Sequence, residues 1–351
     1  MISSSACAIT PRARQAGMSL IELMVGMAIG LVMLAALGSF YVSTSKTRTE
    51  FSKTGDQVEN GRYAIELMVR DIEMSGFYGR PGVPISVTHN LPTACATAKA
   101  SMGFSTTSGL VVPVGLSGLP VGAAAPTCLP NIAAGSEVLT VRYASSVVTA
   151  TPVAGEYYVQ LSACPTDTVS LVYDTSASAF TLQTKLCVAT SPAELRKFVV
   201  RSYYIATCDT CTGANADTTP TLKVAEFVGG AITVTSLVDG IQDMHFSYGV
   251  DTDNNGSPDC YVSDPSVDNS AACTTNTGYV WTNATTNWAN VTGVRVTVLS
   301  RNIASTVGWS DTRSYNLGRP TASGPFNDAY KRHVYGALAR VWNTGGLRES
   351  Q

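Results

Sequence analysis

The sequence carries little charge for its length. Only 14% of its 351 residues are Asp, Glu, Lys or Arg, and the formal net charge is -2. A protein that binds nucleic acid through phosphate contacts needs a surplus of Lys and Arg on one surface. This chain has no such surplus, so we do not expect nucleic acid as its main partner.

The sequence also lacks the short motifs on which many enzyme classes depend. It has no nucleophile elbow, no glycine-rich phosphate loop and no His-Glu metal motif, and its 3 histidines are scattered. We therefore do not expect an enzyme. Trp281, Trp288 and Trp309 are expected to pack in the core or against turns rather than to form a ligand platform.

Charge is absent altogether from residues 23–45. Because an α-helix rises about 1.5 Å per residue, ~20 apolar residues cross the ~30 Å hydrocarbon layer of a membrane. Arg12 and Arg14 precede this run. Positive charge on the N-terminal flank of a membrane helix keeps that flank in the cytoplasm. We predict a membrane-spanning helix over residues 18–41, with the bulk of the chain on the other side of the membrane.

An ordinary secretory signal peptide is the alternative for this segment, with an exit of small residues at 36–38. Two residues argue against it. Gly17 separates the basic leader from the apolar run, and Glu22 lies just inside the run, where a carboxylate costs at least about 2.5 kcal/mol on insertion scales. A segment that is discarded has no need of that carboxylate.

The stretch Gly17-Met18-Ser19-Leu20-Ile21-Glu22-Leu23-Met24 resembles the class III signal of type IV pilins and pseudopilins. The resemblance implies that residues 1–17 are a leader, that a prepilin peptidase cleaves between Gly17 and Met18, and that Met18 is then N-methylated. It also implies that Glu22 neutralises the terminal amine of a neighbouring subunit during filament assembly. That role agrees with the rule that a buried carboxylate is tolerated only when it is paired.

A second helical pattern follows the apolar run. Apolar residues recur every seven positions on one face, joined there by Met68: Phe51, Val58, Ile65 and Ile72. With no proline between residues 18 and 80, the helix is predicted to continue as an amphipathic segment over 42–78 and to stop near Gly76. Gly55 and Gly61 are expected to be weak points in it.

The remainder of the chain is rich in turn residues and short β-type runs. Residues 79–136 are predicted to be an irregular connecting region with one strand near 110–114, and residues 137–351 a β-rich extracytoplasmic head. The predicted strands are 138–143, 157–161, 169–173, 198–205, 222–227, 232–237, 244–250 and 294–299. Residues 330–341 could form a strand or a helix, of which we favour the strand. The fold class is α+β: a long N-terminal helix, half transmembrane and half amphipathic, packed on an antiparallel pilin-type head with disulfide-bonded loops.

Segments 195–205, 237–241, 246–251 and 294–298 are similar in order to the PilW family of minor pilins. The resemblance implies a minor pilin that takes part in filament initiation and assembly at the pilus tip, supporting twitching motility, adhesion or DNA uptake. The partners it implies are other minor and major pilins, the prepilin peptidase, the inner-membrane assembly platform and a tip adhesin. The implied location is the inner membrane with a periplasmic head, and then the pilus on the cell surface.

Two other functions stay open. A pseudopilin of a type II secretion system shares the leader and stem, although the large K-type pseudopilins generally lack the equivalent of Glu22. An anchored surface adhesin or binding module would use the apolar segment only for export. A mature chain that begins at methylated Met18 indicates a pilin, whereas a start near Ser39 indicates a secreted binder.

Cysteines indicate an oxidising compartment. Of the 9 in the sequence, Cys7 lies in the leader, so the mature chain keeps an even set. Although other connectivities are open, we expect bonds between sequence neighbours: Cys95 with Cys128, Cys164 with Cys187, Cys208 with Cys211, and Cys260 with Cys273. The CxxC spacing at 208–211 also occurs in redox and zinc sites, but no second CxxC exists, which favours a small disulfide loop.

Residues 251–259 begin like an EF-hand calcium loop. The candidate calcium ligands are Asp251, Asp253, Asn255 and Asp259, and Gly256 stands at the sixth position, where the loop turns sharply. Val262 occupies the twelfth position, where an EF-hand has a bidentate Glu, so weak affinity is expected. The alternative is an Asx-rich hairpin turn. No cofactor besides this calcium is expected.

Overall fold

The computed structural model describes residues 17–349, apart from 81–83, 85–86, 108 and 275. The leader, with Cys7, Arg12 and Arg14, lies outside the described residues. The chain divides into two units, an N-terminal unit of Met1–Ser52 and a head of Lys53–Gln351.

Helix α1 spans Leu20–Met74 and belongs to both units. Its N-terminal stretch is long and apolar enough to cross a membrane, and the protein buries none of that window. The expected apolar helix is therefore present. Within the head, the same helix carries a buried stripe made of Gln57, Gly61, Ala64, Ile65, Met68, Asp71 and Ile72.

The seven-residue pattern was only half right about this stripe. Ile65 and Ile72 are buried, but Phe51 is 73% and Val58 38% exposed. A straight helix turns by about 20° relative to a strict seven-residue repeat at each step, so the early members of the series lie beyond the edge of the stripe. Gln57 takes the inward position instead and donates to the carbonyls of Ser300 and Lys331 at 2.8 and 3.0 Å.

The head is built on two antiparallel sheets and one short parallel pair. In chain order the strands are β1 Thr88–Asn90, β2 Val111–Pro113, β3 Leu116–Leu119, β4 Val138–Val148, β5 Tyr158–Leu161, β6 Leu171–Asp174, β7 Leu195–Ala206, β8 Thr221–Val228, β9 Ala231–Asp239, β10 Ile241–Val250, β11 Cys260–Val262, β12 Val291–Arg301 and β13 Arg332–Arg340. Helices α2, Ala284–Ala289, and α3, Trp342–Glu349, and two 3₁₀ turns, Lys99–Ser101 and Ala177–Ala179, complete the described elements. The predicted fold class and all nine predicted head strands are confirmed.

Strand β7 organises the larger sheet. It pairs with β4 along one edge, and its other edge is shared, with β5 opposite Leu195–Lys197 and β8 opposite Arg201–Ala206. Strands β3 and β6 pair with β4 and β5, and β9 with β8. The smaller sheet has the order β11-β10-β12-β13. Residues 79–136 hold the parallel pair β1–β2, strand β3 and one 3₁₀ turn, and the other residues described there are irregular.

One core cluster joins the helix to both sheets. Met68 and Ile72 from α1, Val141 from β4 and Phe246 and Val296 from the smaller sheet are all buried within it. Burial of side chains of this size contributes roughly 1.5–3 kcal/mol each. A separate aromatic cluster, with Phe198 at its centre, fills the other side of the larger sheet.

Gly61 is not a weak point but a close-contact residue. A Cβ atom built at Gly61 would lie 2.3 Å from Cδ2 of Tyr335, a residue of β13. Gly55, six residues earlier in the same helix, has nothing within 4 Å of such an atom. The ring of Tyr335 can therefore lie against the helix at this point only because residue 61 has no side chain.

We expect Gly61→Ala to destabilise the head by about 1–3 kcal/mol, because the added methyl forces Tyr335 or the helix to move. Gly55→Ala is the matched control and should be neutral or stabilising by up to about 1 kcal/mol, since alanine favours an exposed helix. Urea unfolding of the full chain in detergent, followed by tryptophan fluorescence, measures both. Equal unfolding midpoints for the two variants would contradict the close contact.

Candidate functional site

The N-terminal motif leads directly into α1. Gly17 and Met18 precede the helix, whose first residue is Leu20. The Glu22 carboxylate accepts a long hydrogen bond of 3.4 Å from the Ser19 backbone N–H, and the Ser19 carbonyl accepts from Leu23 N at 3.1 Å. Glu22 thus occupies the third position of the helix, where an acid can satisfy a free N–H and complement the helix dipole.

This geometry gives Glu22 a local role in the single subunit. The carboxylate also lies beside the position at which cleavage after Gly17 would create a new terminal amine. The described part of the chain places no Lys or Arg side chain within ion-pairing distance of Glu22. Processing of Gly17 and Met18, and the assembly role of Glu22, stay predictions.

The loop between β10 and β11 brings the predicted metal ligands together. Carboxylate oxygens of Asp251, Asp253 and Asp259 all lie within 4.8 Å of one another. Asn255 is adjacent, but its side-chain oxygen accepts from Ser257 N at 2.7 Å. Asp264, which could replace the missing twelfth ligand only by a different loop path, accepts from Ser266 N at 2.8 Å.

The loop also satisfies its own carboxylates. Asp251 accepts from the backbone N–H groups of Asn255 and Gly256 at 3.1 and 3.0 Å. Asp259 accepts from both the N–H and the hydroxyl of Thr252 at 2.7 Å. These are the bonds of an Asx-rich turn, so the loop geometry forms without a metal ion.

A cation within the chain reaches this loop. Arg348 in α3 donates to Asp251 at 2.8 Å, with 10% of the arginine side chain and 0% of the aspartate side chain exposed. Its other terminal nitrogen donates to the Asn290 side chain at 2.7 Å. Sequence reasoning missed Arg348, since nothing in the local spacing links residues 251 and 348. A calcium ion at Asp251 would compete with this guanidinium.

A second buried acid, Asp71, fastens α1 to the larger sheet. It is 4% exposed and accepts from the hydroxyls of Tyr143 and Tyr203 at 2.9 and 2.7 Å. Arg201 Nη1 lies 3.1 Å from the same carboxylate, and Arg201 Nε also pairs with Glu226 at 3.0 Å. Burial, reinforced by the charge of Asp71, raises the pKa of both tyrosines, which therefore remain hydroxyl donors.

The burial of Asp71 could have been predicted from the sequence, but the seven-residue pattern did not include it. Positions 64, 68, 71 and 75 follow the spacing of three and four that marks one helix face. Asp71 falls on that face between Met68 and Ser75, and both of these residues are completely buried. A lone acid in a buried stripe requires a partner from another element, and here Arg201 supplies it.

A third buried acid, Glu137, joins the two sheets. It stands immediately before β4 and accepts from Phe246 N of β10 at 3.0 Å. Its other oxygen lies 2.7 Å from His245 Nδ1 and 3.7 Å from Arg319 Nη1. Arg319 also pairs with Asp243 in β10. The Ser247 hydroxyl lies 3.2 Å from His245 Nε2, so Glu137, His245 and Ser247 form one hydrogen-bonded row, which clamps the start of β4 to β10.

Four disulfides close loops of the head. They join Cys95 to Cys128, Cys164 to Cys187, Cys208 to Cys211 and Cys260 to Cys273. Each bond connects neighbouring cysteines of the sequence and lies in or beside an irregular segment. Cross-links of this kind act mainly by restricting the unfolded chain, to an extent that grows slowly with loop length.

Comparison with known proteins bears on both ends of the chain. The family model of the prokaryotic N-terminal methylation motif matches residues 12–38. The model of Type IV Pilus-assembly protein W, PilW, matches residues 202–343, from within β7 to the start of α3. No curated protein and no solved structure matches the chain.

With its apolar helix, β-rich disulfide-bonded head and methylation motif, the chain is a type IV pilin-like protein. The part of the head from β7 onward carries the likeness to PilW, a pilus-assembly family. This likeness reaches further towards the C-terminus than the segments that suggested it in the sequence, because it includes β13. The matched residues also include the loop 251–259, whereas Arg348 lies just beyond the match.

We expect Asp71→Asn to destabilise the head by about 3 kcal/mol, because the amide leaves Arg201 and two tyrosine hydroxyls without their buried acceptor. Glu66→Gln is the control on the same helix. Glu66 pairs with Arg70 at 3.5 Å, but both side chains are more than 70% exposed, so the loss should stay below about 0.5 kcal/mol. Denaturant unfolding of both variants measures these losses. Similar midpoints for the two variants would show that Asp71 does not stabilise the packing of α1 on the larger sheet.

For the loop 251–259, we expect millimolar calcium to raise the melting temperature of the protein relative to chelator, and magnesium to raise it less. Ligand at a hundredfold excess over Kd adds about 2.7 kcal/mol to folding. Asp253→Ala is the clean variant, since Asp253 is exposed; it should abolish the shift without changing the melting point in chelator. Asp251→Ala should lower that melting point as well, because it leaves the buried guanidinium of Arg348 without its carboxylate partner.

An unchanged melting temperature of the wild-type protein in calcium would identify the loop as an Asx-rich turn alone. Arg348→Met provides a further check, since removal of the competing guanidinium should strengthen any calcium effect. A calcium shift that survives Asp253→Ala would place the ion elsewhere.

Proposed function

We propose that this protein is a minor pilin that takes part in filament initiation at the tip of a type IV pilus. In this role it supports twitching motility, adhesion or DNA uptake. It acts as a structural subunit rather than as an enzyme, in keeping with the two pilus-related families that it matches. Its partners are other minor and major pilins, the prepilin peptidase, the inner-membrane assembly platform and a tip adhesin.

Glu22 is the observation that carries the proposal. It is the only charged residue between Gly17 and Ser45, and it lies in the first turn of a helix whose surroundings are otherwise apolar. A carboxylate in such a place is tolerated when an opposite charge meets it. The terminal amine of a neighbouring processed subunit is a cation that arrives only on assembly.

The size of the head supports a position at the tip. The head comprises Lys53–Gln351, with two sheets and four disulfide-closed loops. Subunits repeated along a shaft pack side by side through their helices, and a head of this size crowds its neighbours there. A tip subunit has fewer neighbours and meets no such limit.

The route to the filament begins in the inner membrane. Residues 18–41 hold the subunit in the bilayer, with the head in the periplasm, until the assembly platform moves it into the filament. The even set of mature cysteines and their disulfides agree with an oxidising periplasm. The filament then carries the head to the cell surface.

A pseudopilin of type II secretion and an anchored adhesin are the competing functions. Deletion of the gene followed by electron microscopy of surface filaments separates them from a minor pilin. A minor pilin predicts fewer pili and weaker twitching and DNA uptake. Unchanged pili with a loss of protein secretion would indicate a pseudopilin, and unchanged pili with a loss of adhesion alone would indicate an adhesin.

We expect Glu22→Ala to leave membrane insertion and cleavage intact but to weaken entry into filaments. Loss of a charged hydrogen bond worth about 1.5–3 kcal/mol reduces association about 10- to 100-fold. Glu66→Ala, an exposed acid further along α1, should assemble normally. The measurement is the amount of each variant in sheared pili. Recovery of Glu22→Ala at the wild-type level would refute the assembly role.

A further inference from the structure

A cleft of about 760 Å³ opens in the head beside the start of β10. Its walls include the loop 319–324, the segment 133–137 that leads into β4, and residues 242, 243 and 245 of β10. All of these residues belong to the head, Lys53–Gln351. Cavities that hold small molecules enclose about 300–1,000 Å³, so this cleft has room for a small organic molecule.

Part of the lining of the cleft is apolar. The tryptophans considered in the sequence do not contribute to it: Trp281 and Trp288 are buried in the core as expected, whereas Trp309 is 37% exposed on the loop after β12. A ligand with an apolar body can pack instead against small side chains and one phenyl ring. The apolar lining includes Val121, Ala133, Ala134, Pro220, Pro320 and Phe326.

Two arginines also line the cleft, and each has a nitrogen without an acceptor. Arg301 is the last residue of β12, and Arg319 lies in the loop that forms one wall. Nε of Arg301 and Nη1 of Arg319 are buried, and neither has a hydrogen-bond partner within the described chain. The carboxylate of Glu137 lies 3.7 Å from Arg319 Nη1, too far for a hydrogen bond. Buried N–H groups are nearly always paired, so two unpaired ones in a single cleft indicate a missing acceptor.

The charge of Arg301 has no counter-ion. Its guanidinium lies over the ring of Tyr330, 4.1 Å from the ring centre, and no Asp or Glu in the described part of the chain forms an ion pair with it. Asp328, on the same side, pairs with Arg332 at 2.5 Å instead. Burial lowers the pKa of Arg301, and the neighbouring charge of Arg332 adds to this effect. A partly buried cation in these surroundings favours an anion beside it.

The carboxylates at the cleft, in contrast, already have their donors. Asp243 accepts from Met244 N at 2.8 Å and from the side chains of Arg319 and Ser323. Glu137 has the partners in β10 described above. The unmet hydrogen-bonding capacity at the cleft therefore belongs to donors, which excludes a metal ion and requires a ligand with acceptor atoms.

We propose that the cleft binds a small organic acid, with its carboxylate on the guanidinium of Arg301 and its apolar body against the adjoining wall. A carboxylate is planar and offers two oxygens, which match the paired N–H groups of a guanidinium. Gln242 supplies a further donor, because its Oε1 accepts from Arg332 at 2.7 Å and its amide Nε2 remains available. The site lies wholly within the head and does not depend on the proposed pilus function.

Fluorine NMR of 4-fluorobenzoate, added to the full chain in a non-ionic detergent, tests this site. We expect the protein to broaden the fluorine signal beyond the effect of empty micelles, and excess benzoate to reverse the broadening. The uncharged 4-fluorobenzamide should show no such effect, because it cannot neutralise Arg301. Sulfate at the same concentration as benzoate should displace the probe poorly, since it leaves the apolar wall uncovered.

Arg301→Met should weaken the binding of 4-fluorobenzoate about 10- to 100-fold, as expected for the loss of a charged hydrogen bond. Arg295→Met is the matched control, and it should bind the probe normally. Arg295 lies on the same strand and also stacks on a tyrosine, with its guanidinium 3.7 Å from the ring centre of Tyr261, but it is exposed and does not line the cleft. The melting temperature of Arg301→Met should not fall, because the variant removes a buried donor that has no acceptor.

A second variant tests the cleft without altering Arg301. Ala322 is exposed on the wall of the cleft, so Ala322→Asp should leave the fold intact and repel the carboxylate of the probe. Broadening that is absent from the wild-type protein, that is equal for 4-fluorobenzamide, or that persists in both Arg301→Met and Ala322→Asp would refute the site. Displacement by sulfate as effective as that by benzoate would also overturn the organic acid. None of these results bears on the pilus function, which the filament experiments test separately.

Discussion

The buried carboxylate of Asp71 is the constraint on which the arrangement of the head depends. A helix packed on a sheet through apolar contacts alone can slide or rotate at small cost, since such contacts are not directional. Asp71 removes that freedom, because its oxygens accept from Tyr143, Tyr203 and Arg201, which belong to two adjacent strands. The angle and register of the helix are fixed by this hydrogen-bond geometry together with the packing of the core.

The two sheets are likewise held together by a buried carboxylate. Glu137, at the start of β4, bonds to the backbone and to His245 of β10, so it joins the larger sheet to the smaller one. Both linking acids are nearly inaccessible to water, and each has several donors, the condition under which a buried charge is tolerated. The disulfides act differently: they restrict loop segments of the head, and some of them, such as the bond at Cys273, also pack in this core. A hydrogen-bonded frame and cross-linked loops thus share one core.

Sequence patterns predicted elements better than they predicted the contacts between them. The period of two and the turn residues located the main head strands, because those signals are local. The short strands β1, β3 and β11 gave no such signal, since they form against partners that are distant in sequence. The same limit applies to Asp71 and Arg201, to Gly61 and Tyr335, and to Asp251 and Arg348. In each pair the two residues are distant in sequence, so neither shows its role until the fold brings the other into contact with it.

The seven-residue series on α1 shows how a small geometric effect changes which residues are predicted to be buried. A repeat of seven residues and a helical turn of about 3.6 residues drift apart, so a series that is buried at Ile72 is exposed by Phe51. The head covers only the part of α1 that points towards it. Within the head, Val58 is left on the outer flank, a detail that residue spacing alone could not decide.

The ion pair between Asp251 and Arg348 has a consequence for the order in which the head matures. Arg348 follows Asp251 by 97 residues, so Asp251 leaves the ribosome well before its partner. Until α3 is made, the carboxylate of Asp251 has no arginine to accompany its burial, and water must keep it solvated. The loop after β10 therefore reaches its final form only once α3 has been added. A chain that stops before α3 presents an unfinished surface there, open to proteases.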